Sequence, residues 1–127
     1  MNYMQLIASL VAALILNWGV AWAGPLEEAV AAIDKKDYAT ASRLVTPLAQ
    51  RNNAGAQRIL GFMYMYELGK PRDYIKAYMW WSLAATNGDS QAGGFRDGLA
   101  PGLSPQEIAA AKKMISDCTQ RKFKGCD

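Results

Sequence analysis

Residues 54–89 read AGAQRILGFMYMYELGKPRDYIKAYMWWSLAATNGD, and part of this stretch is echoed earlier at a fixed spacing of 36 residues. Asp37-Tyr38-x-x-Ala41 lines up with Asp73-Tyr74-x-x-Ala77, Ala49 with Ala85, and Ala56 with Ala92. The same offset sets Leu44 on Trp80, Val45 on Trp81, Leu48 on Ala84 and Asn52 on Gly88. A fixed period of about 20–50 residues marks a chain built from stacked structural repeats. Such stacks mostly bind other molecules across an extended surface.

Hydrophobic spacing makes both copies helical. Asp37 caps a helix over about 38–51, whose apolar face carries Tyr38, Ala41, Leu44, Val45 and Leu48. Pro47 lies inside it and is expected to kink it or limit it to three turns. Asn52-Asn53 reads as a turn. The next helix, about 54–68, carries Ala56, Ile59, Leu60, Met63, Tyr64 and Glu67 on related faces. Gly69 and Pro71 stop it. Asp73 caps a helix over 74–87 that ends at Gly88. Shorter helices are expected over 26–33 and 90–98. Ser104-Pro105-Gln106-Glu107 is a helix start with a capping box, opening a last helix that runs to about Arg121. No stretch alternates with period two, so no strand is expected.

The first 26 residues carry no charged side chain, while all 14 Lys and Arg and all 11 Asp and Glu follow from Glu27 onward. Leu6–Leu16 is apolar and Ala21-Trp22-Ala23 supplies small residues at the end. That is a secretory leader over residues 1–23, with cleavage expected after Ala23. Left uncleaved, residues 6–23 would serve as a membrane anchor. The remaining 24–127 make one small domain. Export places it in the periplasm or outside the cell, an oxidising setting in which the only two cysteines, Cys118 and Cys126, pair as a disulfide. Closing that short loop contributes on the order of 2–3 kcal/mol and pins the segment after the last helix. A net charge of +3 falls short of a nucleic-acid-binding stripe. The basic residues Lys112, Lys113, Arg121, Lys122 and Lys124 read as a solvated face and helix-dipole complement, with an anion-binding patch as the alternative.

Leu60-Gly61-x-x-Tyr64, then Gly69, Asp73-Tyr74-x-Lys76-Ala77, Trp80-Trp81, Ala84-Ala85 and Gly88 resemble the Sel-1-like repeats, helix–turn–helix modules related to tetratricopeptide repeats. The resemblance is close across residues 54–88 and weaker across 37–53. It departs at Glu67, where the family usually has a second glycine, and at Lys70, where valine is common. It implies an all-α fold, a short right-handed α-solenoid of antiparallel helix pairs with five to six helices. Repeats fall near 26–53 and 54–88, with a C-terminal cap over 89–127. In that frame Gly61, Ala77 and Ala84 let helices approach closely, while Tyr64 and Trp81 fill the space between pairs.

The resemblance also implies a protein-interaction module. In tetratricopeptide-like stacks the first helix of each pair lines the concave surface, which here would present Arg58, Phe62, Met65 and Tyr66 to a protein or peptide. The competing reading buries Phe62 and Met65 under the first short helix or the last one. Exposed end faces of a short stack are compatible with a homodimer. The inventory points away from catalysis: there is no histidine, no serine in G-x-S-x-G or S-x-x-K, and no glycine-rich phosphate loop. No catalytic residue, metal site or cofactor is assigned, and no nucleic-acid partner. Membrane contact is expected only if the leader stays. Some exported members of the family are linked with cell-wall-type ligands. A membrane-anchored structural envelope component or a cell-wall-ligand binding protein is therefore the alternative function.

Overall fold

The computed structural model describes residues 24–127. The leader expected over residues 1–23, and the anchor over 6–23, lie outside the described residues. The described residues are all-α. Among them six helices follow one another: α1 Pro25–Asp34, α2 Tyr38–Gln50, α3 Ala54–Met65, α4 Tyr74–Thr86, α5 Ala92–Leu99 and α6 Pro105–Gln120, with a 3₁₀ turn Ala100–Gly102 after α5.

Each start has a local cause. Asp37, Asn53 and Asp73 accept the backbone N–H of Thr40, Ala56 and Lys76 and cap α2, α3 and α4. Ser104 and Glu107 exchange both bonds of a capping box at α6.

The ends share one device. Lys36, Asn52, Glu67, Gly88 and Lys122 each take a left-handed backbone conformation just past a helix. The next N–H then reaches back to the helix: Asp37 to Ala32 O, Asn53 to Leu48 O, Leu68 to Met63 O, Asp89 to Ala84 O and Phe123 to Cys118 O, at 2.8–3.0 Å. At Asp37, Asn53 and Asp89 the residue that closes one helix also caps or opens the next. Asp89 Oδ1 accepts the N–H groups of Gln91 and Ala92 at the entry to α5. Asn52-Asn53 and Gly88-Asp89 thus use the same chain-reversing device, 36 residues apart.

Glu67 is not on the helical face expected for it. The helix stops at Met65, and Glu67 occupies the left-handed position (φ 55°) that a glycine fills more easily. Pro47 sits in the last turn of α2, which ends one residue short of the expected boundary. Gly69 is left-handed as well, and an added Cβ there would collide with Tyr38 Cβ of the preceding pair.

Helices α1 and α2 pack together, as do α3 and α4, and α2 packs on α3. Small residues line these contacts: Ala29, Ala41, Ala49, Ala56, Ala77 and Ala84 are wholly buried. Helix α4 is the hub, touched by α3, α5 and α6. Its residues Ala77 and Met79–Ala84 are all buried, so it is apolar around most of its circumference. Gln57, also wholly buried, ties α2 to α3 by donating to Ala49 O and Asn52 Oδ1. Among the described residues no helix is long and apolar enough to cross a membrane.

Candidate functional site

Gly61 brings α3 and α4 together. A Cβ at this position would penetrate the Trp81 indole, with Cε2 at 2.8 Å and two further ring atoms nearer. The indole lies flat in the gap that the glycine leaves, and its Nε1 donates to Arg58 O at 3.2 Å. Leu60, Tyr64 and Trp81 are buried around it.

Above Trp81 the aromatic side chains continue. Phe62 meets Trp81 edge-on at 5.3 Å between ring centroids, stacks on Tyr66 at 6.2 Å, and meets Phe95 of α5 edge-on at 4.7 Å. Phe62 and Met65 are half-buried, and the covering helix is α5. The sequence reading allowed cover from the first short helix or the last; the ring that meets Phe62 is Phe95 of α5. Tyr66 is 57% exposed and Phe95 37% exposed. Together Phe62, Met65, Tyr66, Trp81, Phe95 and Leu99 line a groove of about 360 Å³ between α3 and the α5–3₁₀ segment. Its remaining wall is glycine: Gly94, Gly98 and Gly102. Arg58 stands apart from this groove. Its guanidinium bridges Asp89 at 2.9 Å and donates to Gln91 at 3.2 Å, which ties α3 to the α4–α5 turn. Of the four expected surface residues, Phe62, Met65 and Tyr66 come together and Arg58 works in a structural ion pair.

A second cluster forms where the 69–76 turn meets the end of the chain described. The Cys118–Cys126 disulfide folds the segment after α6 back onto the domain. Asp127 then accepts a hydrogen bond from the Tyr64 hydroxyl and forms an ion pair with Lys70 Nζ at 2.8 Å. Lys70 and Lys76 lie over the Tyr64 ring at 5.3 and 5.1 Å from its centroid. Burial, and then the hydrogen bond to Asp127, push the Tyr64 hydroxyl above the usual tyrosine range. Sequence reading placed the basic character on α6 instead and missed this cluster. Its visible signal was Lys70, a cation where the family commonly has valine.

Among the described residues no group of three or more His, Cys, Asp or Glu side chains comes together to hold a metal ion. What the two sites offer is an apolar groove and a cationic cleft, both suited to binding. The family model described as the Sel1 repeat matches residues 54–89. The chain carries a Sel1 repeat. The match covers α3, α4 and their turn, and ends on Asp89, the residue that opens α5. Sel1 repeats are generally protein–protein interaction modules. No curated protein and no solved structure matched the chain significantly.

Proposed function

We propose that this Sel1-repeat chain is an exported adaptor that binds a protein or peptide through the groove between α3 and α5. The observation that carries this reading is the glycine wall. Beyond its chain neighbours and its own helix backbone, a Cβ added at Gly94, Gly98 or Gly102 would meet nothing within 4 Å. Internal packing therefore does not require glycine there. Within α5 each glycine costs roughly 1 kcal/mol relative to alanine. Glycines that the fold does not need, set opposite exposed aromatic rings, leave room for an approaching backbone. Tyr and Phe side chains are typical anchors for such contacts.

Export is supported by the leader-like residues 1–23 and by the disulfide, which suits an oxidising compartment. A mass measurement on native protein tests it: loss of residues 1–23 supports a free adaptor, and retention supports the anchored alternative.

The groove is tested by placing a photo-crosslinking phenylalanine analogue at position 66 or, as a control, at the exposed position 112 of α6. A partner captured from 66 and not from 112 supports the groove. The companion variant is Gly98→Leu, which fills the groove and improves the helix. It should melt no lower than the parent and should lose the crosslink. Undiminished crosslinking in Gly98→Leu would exclude the groove as the contact surface.

A further inference from the structure

The cationic cleft beside the 69–76 turn is separate from the aromatic groove and shares none of its residues. It encloses about 500 Å³ and is walled by Tyr64, Lys70, Arg72, Asp73 and Lys76, with Gly69 and Pro71 at its edge. Three cations face a single acid in that wall. Asp73 is committed elsewhere, since its carboxylate caps α4 by accepting the Lys76 N–H at 2.9 Å. Lys76 has no carboxylate within ion-pair distance among the described residues, and Arg72 reaches only Glu67, at 3.8 Å and exposed to solvent.

One carboxylate enters this setting, that of Asp127. It arrives on a peptide segment, meets a phenol hydroxyl from the buried Tyr64, and pairs with Lys70 where both side chains are largely shielded. A charge-assisted bond at such a site is stronger than its solvent-exposed counterpart. The segment that delivers it is backbone-strained: Lys122, Phe123 and Gly125 are all left-handed, at φ 54°, 67° and 66°. Only the third is a glycine, so two residues hold a conformation that L side chains disfavour.

We infer that Tyr64, Lys70 and Lys76 form a recognition site for an acidic peptide segment of a partner, and that Asp127 is its internal occupant, competing in cis. The chemistry the site accepts is displayed by its occupant: an aspartate carboxylate carried on a peptide segment. The surplus of positive charge in the cleft gives a second acidic residue of the incoming peptide a place beside Lys76. Because Asp127 is tethered next to Cys126, it sits at high effective concentration and masks the site in the resting protein.

The probe is a fluorescein-labelled octapeptide of alternating Asp and Gly, followed by anisotropy at low ionic strength on the full chain with its disulfide intact. Asp127→Asn should bind it about tenfold more tightly than the parent, because the competitor has lost its charge. Adding Lys70→Gln and Lys76→Gln to Asp127→Asn should abolish the gain. A matched Asn-Gly octapeptide should not bind, and acetate at the same carboxylate concentration should not compete. In the parent protein, saturating probe should shift the Tyr64 ring resonances as it displaces Asp127. Equal affinity of parent and Asp127→Asn would overturn the inference. So would binding that survives the lysine substitutions, or Tyr64 signals that ignore the probe. Competition by acetate would assign the site to small carboxylates rather than peptides.

Discussion

Replacing Gly61 with alanine sets two effects of opposite sign against each other. Gly61 lies inside α3, where alanine is favoured over glycine by roughly 1 kcal/mol on propensity alone. The added methyl, however, would sit within 2.8 Å of Trp81 Cε2 and nearer still to Cδ1 and Nε1. The indole has no easy retreat, since Phe62 and Phe95 stand behind it at 5.3 and 5.6 Å between centroids. Overpacking of this kind costs about 1–3 kcal/mol. Moving the ring also breaks the Trp81 bond to Arg58 O, worth about 1 kcal/mol. The net expectation is a loss of roughly 1–3 kcal/mol. For a domain of this size that lowers Tm by about 5–20 °C. Far-UV circular dichroism melts of Gly61→Ala and parent give the sign directly. A variant as stable as the parent, or more stable, would show that the indole does not rest on the Gly61 backbone and would refute the packing described for α3 and α4.

Three further outcomes follow from the same packing. Trp81→Ala removes a buried ring that touches both Phe62 and Phe95, and should cost about 3–5 kcal/mol in urea denaturation. Glu67→Gly relieves a left-handed non-glycine residue whose only ion pair among the described residues is a weak exposed one, so it should raise stability by roughly 0.5–1 kcal/mol in the same assay. Tyr64 titrates higher in the folded chain than in the unfolded one, so its contribution is fully present below the unfolded value of 10.0 and is lost as pH rises beyond it. Stability should therefore fall above that pH with an added slope of up to about 1.4 kcal/mol per unit, and Tyr64→Phe should remove this added slope.

The helices and their caps were legible because their signals are local. Asp37, Asn53, Asp73 and Ser104 need only the N–H three residues ahead, and the spacing of Ala41, Val45 and Ala49 fixes the buried face within one helix. The repeat offset carried further, since Asp37 and Asp73 cap the two equivalent helices. What escaped the sequence depended on contacts between distant residues. The cover over Phe62 comes from Phe95, 33 positions later, on a helix whose glycine content hid it as a packing element. Arg58 looked like a surface cation because Asp89 sits 31 residues away. The partners of Tyr64 were out of reach for the same reason: Asp127 is 63 residues downstream and is brought back by a disulfide whose pairing says nothing about where the segment lands.

The shared helix-ending device has a consequence for how this architecture can grow. Asn53 and Asp89 each finish one helix and open the following one, so the chain offers two equivalent splice points a full period apart. Copying residues 53–88 in tandem would join every new helix to its neighbour through a junction the protein already uses, with no linker to invent. Helix α5 would then dock on the duplicated α4 as it docks on the present one, and the added α3 would bring its own Gly61 to receive the added Trp81. Lengthening by gene duplication needs no intermediate with an unsatisfied helix end, and a designed chain with one extra copy should melt cooperatively with its helix content increased by α3 and α4.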